Sequence, residues 1–240
     1  MDSQIIMESA GRLISMGLYV VTSFFFCRML CCILPQKEGR FYDILIFISG
    51  IFIPGMVIDP EDMFNVTLDL VWLLLLTLFC FKGSVVSKFS VTAVIYPLII
   101  ALNFLVSDIS LSIWLASGKS FPVDLAVTLL DGCIHILFWY LIYRTFVSRV
   151  RQASRLYSRN TWILLGIICL ASLVSIIGYI YYPPEETYKI WPCAIACMAT
   201  NIGSLYLAGY FVNTIQQEME QDNLKLQRVY YEELERNQTE

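Results

Sequence analysis

The chain has 240 residues, of which 58% are hydrophobic and 15% are charged, and its mean hydropathy is +0.66. Soluble domains have about 25% charged residues, so this composition excludes an ordinary soluble domain and predicts a protein dissolved in lipid. The net charge of −4 says little by itself, because seven of the acids lie in the last 25 residues. Nucleic-acid binding has no support in the sequence.

Seven stretches are apolar and long enough to cross the hydrocarbon core, for which a helix needs roughly 20 residues. They are Leu13–Leu34, Phe41–Ile58, Phe64–Phe81, Phe89–Leu115, Val123–Val147, Thr161–Tyr182 and Ile190–Ile215. The breaks between them hold glycine, proline and charged residues, which favour loops. Pro54 and Pro97 lie inside two of the stretches, where kinks are expected. The sequence therefore predicts an all-α, polytopic membrane protein with about seven transmembrane helices.

Lysine and arginine near the predicted helix ends indicate the orientation. One side collects Arg28, Lys37, Arg40, Lys82, Lys88, Arg144, Arg149, Arg151, Arg155 and Arg159. The other side has Arg12, Lys119 and Lys189, together with the acids Asp59, Glu61, Asp62, Glu185 and Glu186. The basic loops should face the cytoplasm. We therefore expect the N-terminus outside and the residues after the seventh helix inside.

Polar residues within the predicted helices are the candidate ligand-binding or switch residues, because ionisable groups are costly in lipid. The set is Asp69, Asp108, Asp131, His135 and Asn201, and Asn103 is a second buried amide. Asp131 and His135 are four residues apart on one helix face, which suits a mutual hydrogen bond and equally a proton-linked switch. For each residue the alternative is an interhelical hydrogen bond that only holds the bundle together.

No metal site or cofactor is expected in this chain. Its eight cysteines all lie in apolar runs, where cysteine behaves as a small apolar residue. The single histidine has no clustered partner of the kind that a metal ion needs. The sequence holds no catalytic residues that we can identify.

The last residues predict a helix that continues out of the membrane, because no Gly or Pro occurs between Phe211 and Glu240. Its apolar positions form an imperfect three-four stripe. We name this stripe the seam: Ile215, Met219, Leu226, Val229, Tyr230 and Leu234. The seam predicts a two-stranded coiled coil and thus a homodimer, and the alternative is a solvated helix without a partner. The domain prediction is a transmembrane sensor, 1–215, and a cytoplasmic juxtamembrane signalling helix, 216–240.

The segment NLKLQRVYYEELERNQTE, residues 223–240, resembles the juxtamembrane helix of the peptide-pheromone sensor histidine kinases of Gram-positive bacteria. These are the accessory-gene-regulator type, with a GHKL kinase region. In that family a membrane sensor of six or seven helices runs into such a helix, which is followed by a phosphoacceptor histidine box and an ATP-binding domain. The present sequence contains neither the box nor the ATP-binding motifs. The resemblance therefore implies the sensor region of such a kinase, truncated before the histidine box.

The resemblance implies a multi-pass protein of the bacterial plasma membrane that takes part in a two-component system. It implies an extracellular ligand of the peptide class, a homodimer, and a response regulator reached through the kinase domain that this chain lacks. ATP and Mg²⁺ would belong to that absent domain. The alternative is a small transporter or channel that uses the intramembrane Asp and His residues. No internal sequence repeat supports this alternative, although transporters often contain one.

Overall fold

The computed structural model describes residues 2–56, 62–117, 120–153, 157–184 and 187–239, without the side chains of 2–8, 10, 12, 146–153, 187 and 233–239. The α-helices are α1 (Asp2–Ile33), α2 (Arg40–Phe52), α3 (Met63–Cys80), α4 (Val85–Ser117), α5 (Phe121–Ala153), α6 (Arg159–Tyr181) and α7 (Trp191–Thr239). Two 3₁₀ turns, Ile53–Gly55 and Thr187–Ile190, precede α3 and α7. The described residues form no strand, so the all-α prediction is confirmed.

Six of the described helices are long and apolar enough to cross a membrane. The spans are Leu13–Ile33, Met63–Cys80, Val85–Ser117, Phe121–Thr145, Arg159–Tyr181 and Tyr188–Glu232. Of the seven predicted spans, the second differs most, because α2 has only 13 residues. Pro54 lacks a backbone donor, and the chain tightens there into the 3₁₀ turn Ile53–Gly55. The last residues of that predicted span, Val57 and Ile58, lie outside the described residues.

Backbone hydrogen bonds join the loop after α1 to the loop after α3. The amide of Lys37 donates to the carbonyl of Cys80 over 2.8 Å, and the amide of Lys82 donates to that of Pro35 over 2.7 Å. The carboxyl ends of α1 and α3 therefore lie together, at what we call the tail end of the bundle. Because α2 starts at this end and α3 returns to it, α2, the 3₁₀ turn and α3 form a hairpin into the bundle.

The remaining helices continue this up-and-down arrangement. α5 runs parallel to α1, since Gly11 lies next to Leu125 and the rings of Phe25 and Tyr140 are 5.3 Å apart further along both helices. α6 leaves the tail end and α7 runs back antiparallel to it. α7 therefore emerges at the tail end, and the start of α1 lies at the opposite end.

α4 is the central helix of the bundle. Within an 18-residue apolar window of its candidate span 83% of the residues are buried, against 22–33% in the corresponding windows of the other spans. It packs against α3, α5, α6 and α7. The peripheral helices instead expose apolar side chains such as Leu164 and Val174, which is the surface expected to contact lipid.

Lys88, one of the cations used to predict the orientation, is buried near the start of α4. Its Nζ donates a hydrogen bond of 3.0 Å to the carbonyl of Leu78, in the last turn of α3. Helix carboxyl ends have unpaired carbonyls and a partial negative charge, so an ammonium group stabilises this position. Lys88 thus fastens the end of α3 to α4.

α1 and α5 approach each other closely at Gly132. A Cβ at this position would lie 2.5 Å from Cδ1 of Leu18. Small residues allow membrane helices to approach in this way. We expect Gly132→Ala to lower the free energy of unfolding in detergent by about 1–3 kcal/mol, since overpacking has costs of that order. Adding Leu18→Ala should restore part of the loss.

The matched control for Gly132→Ala is Gly17→Ala on α1, where an added Cβ meets no atom within 4 Å. This control should leave stability unchanged or raise it slightly, because alanine is the better helix former. Equal destabilisation by the two changes would show that the contact between Gly132 and Leu18 does not set the spacing of α1 and α5.

Candidate functional site

His135 lies at the centre of a polar cluster that joins α5, α4 and the 3₁₀ turn after α2. Its Nε2 is 2.9 Å from Oδ1 of Asn103, and its Nδ1 is 2.9 Å from the backbone carbonyl oxygen of Asp131. The Asp131 carboxylate oxygen is 3.5 Å from the same Nδ1. The side chain of His135 is 7% exposed and that of Asp131 is 27% exposed. The pair is therefore largely screened from solvent.

Asn103 connects this pair to the hairpin. Its Nδ2 donates a hydrogen bond of 2.7 Å to the carbonyl oxygen of Met56, which directly follows the 3₁₀ turn. A backbone carbonyl can only accept hydrogen bonds, so the Asn103 amide nitrogen must face Met56 and its oxygen must face His135. The orientation of Asn103 is thus fixed by its partner on the hairpin.

Hydrogen-bond acceptors lie on both sides of the His135 ring. Its nitrogens are each 2.9 Å from an oxygen that can only accept, namely Oδ1 of Asn103 and the carbonyl of Asp131. A neutral ring has one N–H and can donate to one of these oxygens, whereas an imidazolium can donate to both. The hydrogen bonding of the cluster therefore depends on the tautomer and the charge of His135.

A groove between α1 and α5 leads from the end of the bundle opposite the tail end towards this cluster. Its volume is about 650 Å³, and its lining residues are Gly11, Ser15, Met16, Phe121, Asp124, Leu125 and Thr128. One turn deeper on α1, Tyr19 interacts electrostatically with Asp131 and packs against Gly55. The groove therefore has a partly apolar lining with one acid, Asp124, and the next turns of α1 and α5 hold Tyr19 and Asp131.

The structure places the other predicted residues elsewhere in the bundle. Asp108 accepts a 2.7 Å hydrogen bond from the indole nitrogen of Trp191 and so joins α4 to the start of α7. Asn201 donates 2.7 Å hydrogen bonds to Ser172 Oγ and to the carbonyl of Cys197, joining α7 to α6. Asp108 and Asn201 therefore form interhelical hydrogen bonds that hold neighbouring helices together.

Asp69 is 1% exposed on α3, and its Oδ2 has no hydrogen-bond partner among the described residues. It lies within electrostatic range of Tyr96 on α4, whose hydroxyl donates to the carbonyl of Val66. The structure thus gives Asp69 a buried position between α3 and α4, apart from the His135 cluster.

The tail residues of the predicted seam lie on the exposed part of α7. Ile215, Met219, Leu226, Val229 and Tyr230 are each between 55% and 69% exposed. Leu234 lies in the helix, and its side chain is outside the described part of the chain. A row of apolar side chains on a solvated helix leaves a surface available to a second helix.

The residues that the sequence did not place in the site are Asn103, as the partner of His135, and Tyr19. Asn103 and His135 are 32 residues apart on different helices. Helical spacing relates residues on one helix only, so it could identify the pair of Asp131 and His135 and not its partner on α4. The amide group within an otherwise apolar run did identify Asn103 as a buried polar residue, and only its pairing with His135 was not predicted.

Within the described residues no group of three or more His, Cys, Asp or Glu side chains could hold a metal ion. Neither a protein-family model, nor a curated protein, nor a solved structure matches this chain.

Proposed function

We propose that this chain is the membrane sensor of a two-component histidine kinase, of the accessory-gene-regulator type with a GHKL kinase region. The observation that supports the proposal most is the single unbroken helix α7, Trp191–Thr239. Its first part packs against α4, α5 and α6, and every residue from Ile215 to Glu232 is exposed. A helix that is anchored in the bundle and solvated beyond it suits the transmission of a movement to an attached domain.

The proposed topology has seven crossings, in which α2 and its 3₁₀ turn make a short second one. The shared tail end of α1 and α3 supports this count, because the chain must enter and leave the bundle between them. The described cations Lys37, Arg40, Lys82 and Arg159 lie at or near the tail end, which the positive-inside rule would place in the cytoplasm. The start of α1 and the groove would then face the outside.

We propose that the ligand, of the peptide class, binds in the groove between α1 and α5. α5 packs against both α1 and α7. A ligand that binds one spacing of α1 and α5 more tightly would shift the population of that arrangement. Because α5 also contacts α7, the shift would turn or displace the signalling helix. The charge of His135 would bias the same equilibrium.

Reporter fusions test the topology that this function requires. A fluorescent protein that matures only in the cytoplasm should be active when it is fused after Glu240. Alkaline phosphatase, which folds only in an oxidising compartment, should be active when it is fused before Met1. An externally located fusion after Glu240 would contradict the sensor function, because a kinase region attached there would have no ATP.

The dimer is tested on the tail itself. We expect Leu226→Glu to shift the purified protein from dimer to monomer, because a charge would be buried in the coiled-coil seam. The control is Leu224→Glu, which lies two residues away on another face of α7 and is similarly exposed, at 59% against 69%. Cross-linking in membranes and light scattering in detergent measure the outcome. Equal loss of dimer in both variants, or no dimer in the unmodified protein, would contradict the prediction that the seam residues form a coiled-coil dimer.

A further inference from the structure

A second pocket lies at the tail end, far from the His135 cluster. Its volume is about 660 Å³. Lys82, Ser84 and Ser87 line it from the start of α4, and Tyr157, Arg159 and Trp162 line it from the start of α6. Ile33 and Leu34 at the end of α1 complete an apolar side. The pocket thus combines two cations with an apolar wall at the surface of the bundle.

The start of α4 forms one side of this pocket. Ser84 Oγ accepts the amide of Ser87, and the Ser84 carbonyl accepts the amide of Lys88. The amides of Val85 and Val86, which also line the pocket, have no acceptor within the helix because they belong to its first turn. Gly83 turns the chain with a φ of 118°, which L residues rarely adopt. Free amides at a helix start, with its partial positive charge, favour an anion.

Tyr157 provides independent support for a ligand. It is 8% exposed, its ring packs against Trp162 at 4.9 Å, and its hydroxyl has no hydrogen-bond partner among the described residues. Buried polar atoms are normally paired, so an unpaired hydroxyl in a pocket wall indicates an absent partner. Burial raises the pKa of Tyr157, which keeps the hydroxyl protonated and able to donate.

Lys82 already forms an ion pair with Glu38, which would compete with an anion in the pocket. Its Nζ is 2.8 Å from the Glu38 carboxylate, and the two side chains are 50% and 92% exposed. The Lys82 hydrogen bond holds the pKa of Glu38 below its usual value, so the pair is ionised at neutral pH. Exposed ion pairs of this kind are weak. An anion in the pocket could therefore take Lys82 from Glu38 at little cost.

We propose that this pocket binds a phosphate group through Lys82, Arg159, the first amides of α4 and the Tyr157 hydroxyl. Two sources offer this chemistry. One is the headgroup of an anionic phospholipid, whose acyl chains would pass along the apolar part of the lining, in which Val85 is exposed. The other is a soluble phosphate. Basic pockets between helices at the membrane surface are a recurrent site for anionic headgroups.

The test uses the full chain and phosphatidylglycerol, with phosphatidylcholine as the zwitterionic lipid, and counts retained lipids by native mass spectrometry. The double variant Lys82→Gln with Arg159→Gln should weaken retention of phosphatidylglycerol by about tenfold or more, the factor expected for one charge-assisted hydrogen bond. Tyr157→Phe should weaken it less. Glu38→Gln should strengthen it, because Lys82 is released. The control is Arg40→Gln, an exposed cation near the same end that does not line the pocket.

A parallel arm titrates inorganic phosphate and follows its ³¹P NMR signal with the same variants. Variant-dependent binding of phosphatidylglycerol supports a lipid headgroup, and variant-dependent binding of phosphate without lipid retention supports a soluble ligand. The gain in Glu38→Gln cannot arise from misfolding, so it separates binding from stability. Equal retention in all variants, or the same loss in Arg40→Gln as in the double variant, would overturn the proposal.

Discussion

A flexible Gly-Ser-Gly insertion after Gln221 is expected to abolish the control that, in the proposed function, the membrane bundle exerts on a kinase region fused after Glu240. The expected loss is complete, because α7 is continuous from Trp191 to Thr239 and offers the only covalent route from the bundle to the attached region. A rigid helix transmits rotation, whereas a glycine-rich segment does not. The measurement is the autophosphorylation rate of the fusion in membrane vesicles, compared with that of the isolated kinase region.

Helical insertions at the same position provide the matched control. Each added residue turns the helix by about 100°, so two alanines should rotate the attached kinase by about 200° and change its rate strongly. Seven added residues return the helix to within about 20° of its original phase and should preserve the rate. An autophosphorylation rate that is independent of insertion length would rule out transmission by rotation of α7. An unchanged rate in the fusion with the Gly-Ser-Gly insertion would rule it out as well.

Removal of the Asn103 amide is expected to have the second largest effect. Asn103→Leu leaves the Met56 carbonyl and Nε2 of His135 without the partners that they have in the bundle. A buried polar group without a hydrogen-bond partner destabilises a protein by about 1–3 kcal/mol. This cost exceeds the average contribution of one interhelical hydrogen bond in a membrane, about 0.6 kcal/mol, because two groups lose their partner here. We expect a loss of about 1–3 kcal/mol in the free energy of unfolding, measured by detergent denaturation.

A double-mutant cycle with His135→Leu distinguishes the cluster from general damage. Because the two residues share a hydrogen bond, their combined effect should differ from the sum of the single effects by about 0.5–3 kcal/mol. Asn201→Leu is the control, since Asn201 is the other buried amide and bonds in the contact between α6 and α7. Its effect should add to that of Asn103→Leu within about 0.5 kcal/mol. Additivity between Asn103 and His135 would contradict their coupling.

The positions of the long helices could be predicted because the bilayer sets the length of an apolar span. α3 and α6 begin and end within two residues of the predicted stretches. The end of α2 could not be predicted so well, because hydropathy is the same for an apolar α-helix and for the 3₁₀ turn that begins next to Pro54. The continuity of α7 beyond Phe211 could be predicted from the absence of Gly and Pro there, a local property that the sequence shows directly.

The candidate site was predictable only in part, for a related reason. Asp131 and His135 share one helix, so their spacing alone indicates their proximity. The contact with Asn103 and the carbonyl of Met56 depends on how α4, α5 and the hairpin pack, and apolar sequences pack in many ways that hydropathy does not distinguish. The pocket at the tail end likewise needed the ends of α1, α4 and α6 to be brought together.

The burial of α4 determines how the protein meets bilayers of different thickness. Peripheral helices adjust to a thicker or thinner hydrocarbon layer by tilting, because their apolar surface lies against lipid. α4 is surrounded by other helices and has no such surface along most of its length. Two of its buried polar side chains, Lys88 and Asn103, are 15 residues apart, which corresponds to about 22 Å along a straight helix axis. Lys88 is hydrogen-bonded to the end of α3 and Asn103 to Met56. Hydrophobic mismatch is therefore expected to tilt the peripheral helices, while α4 keeps its position among them.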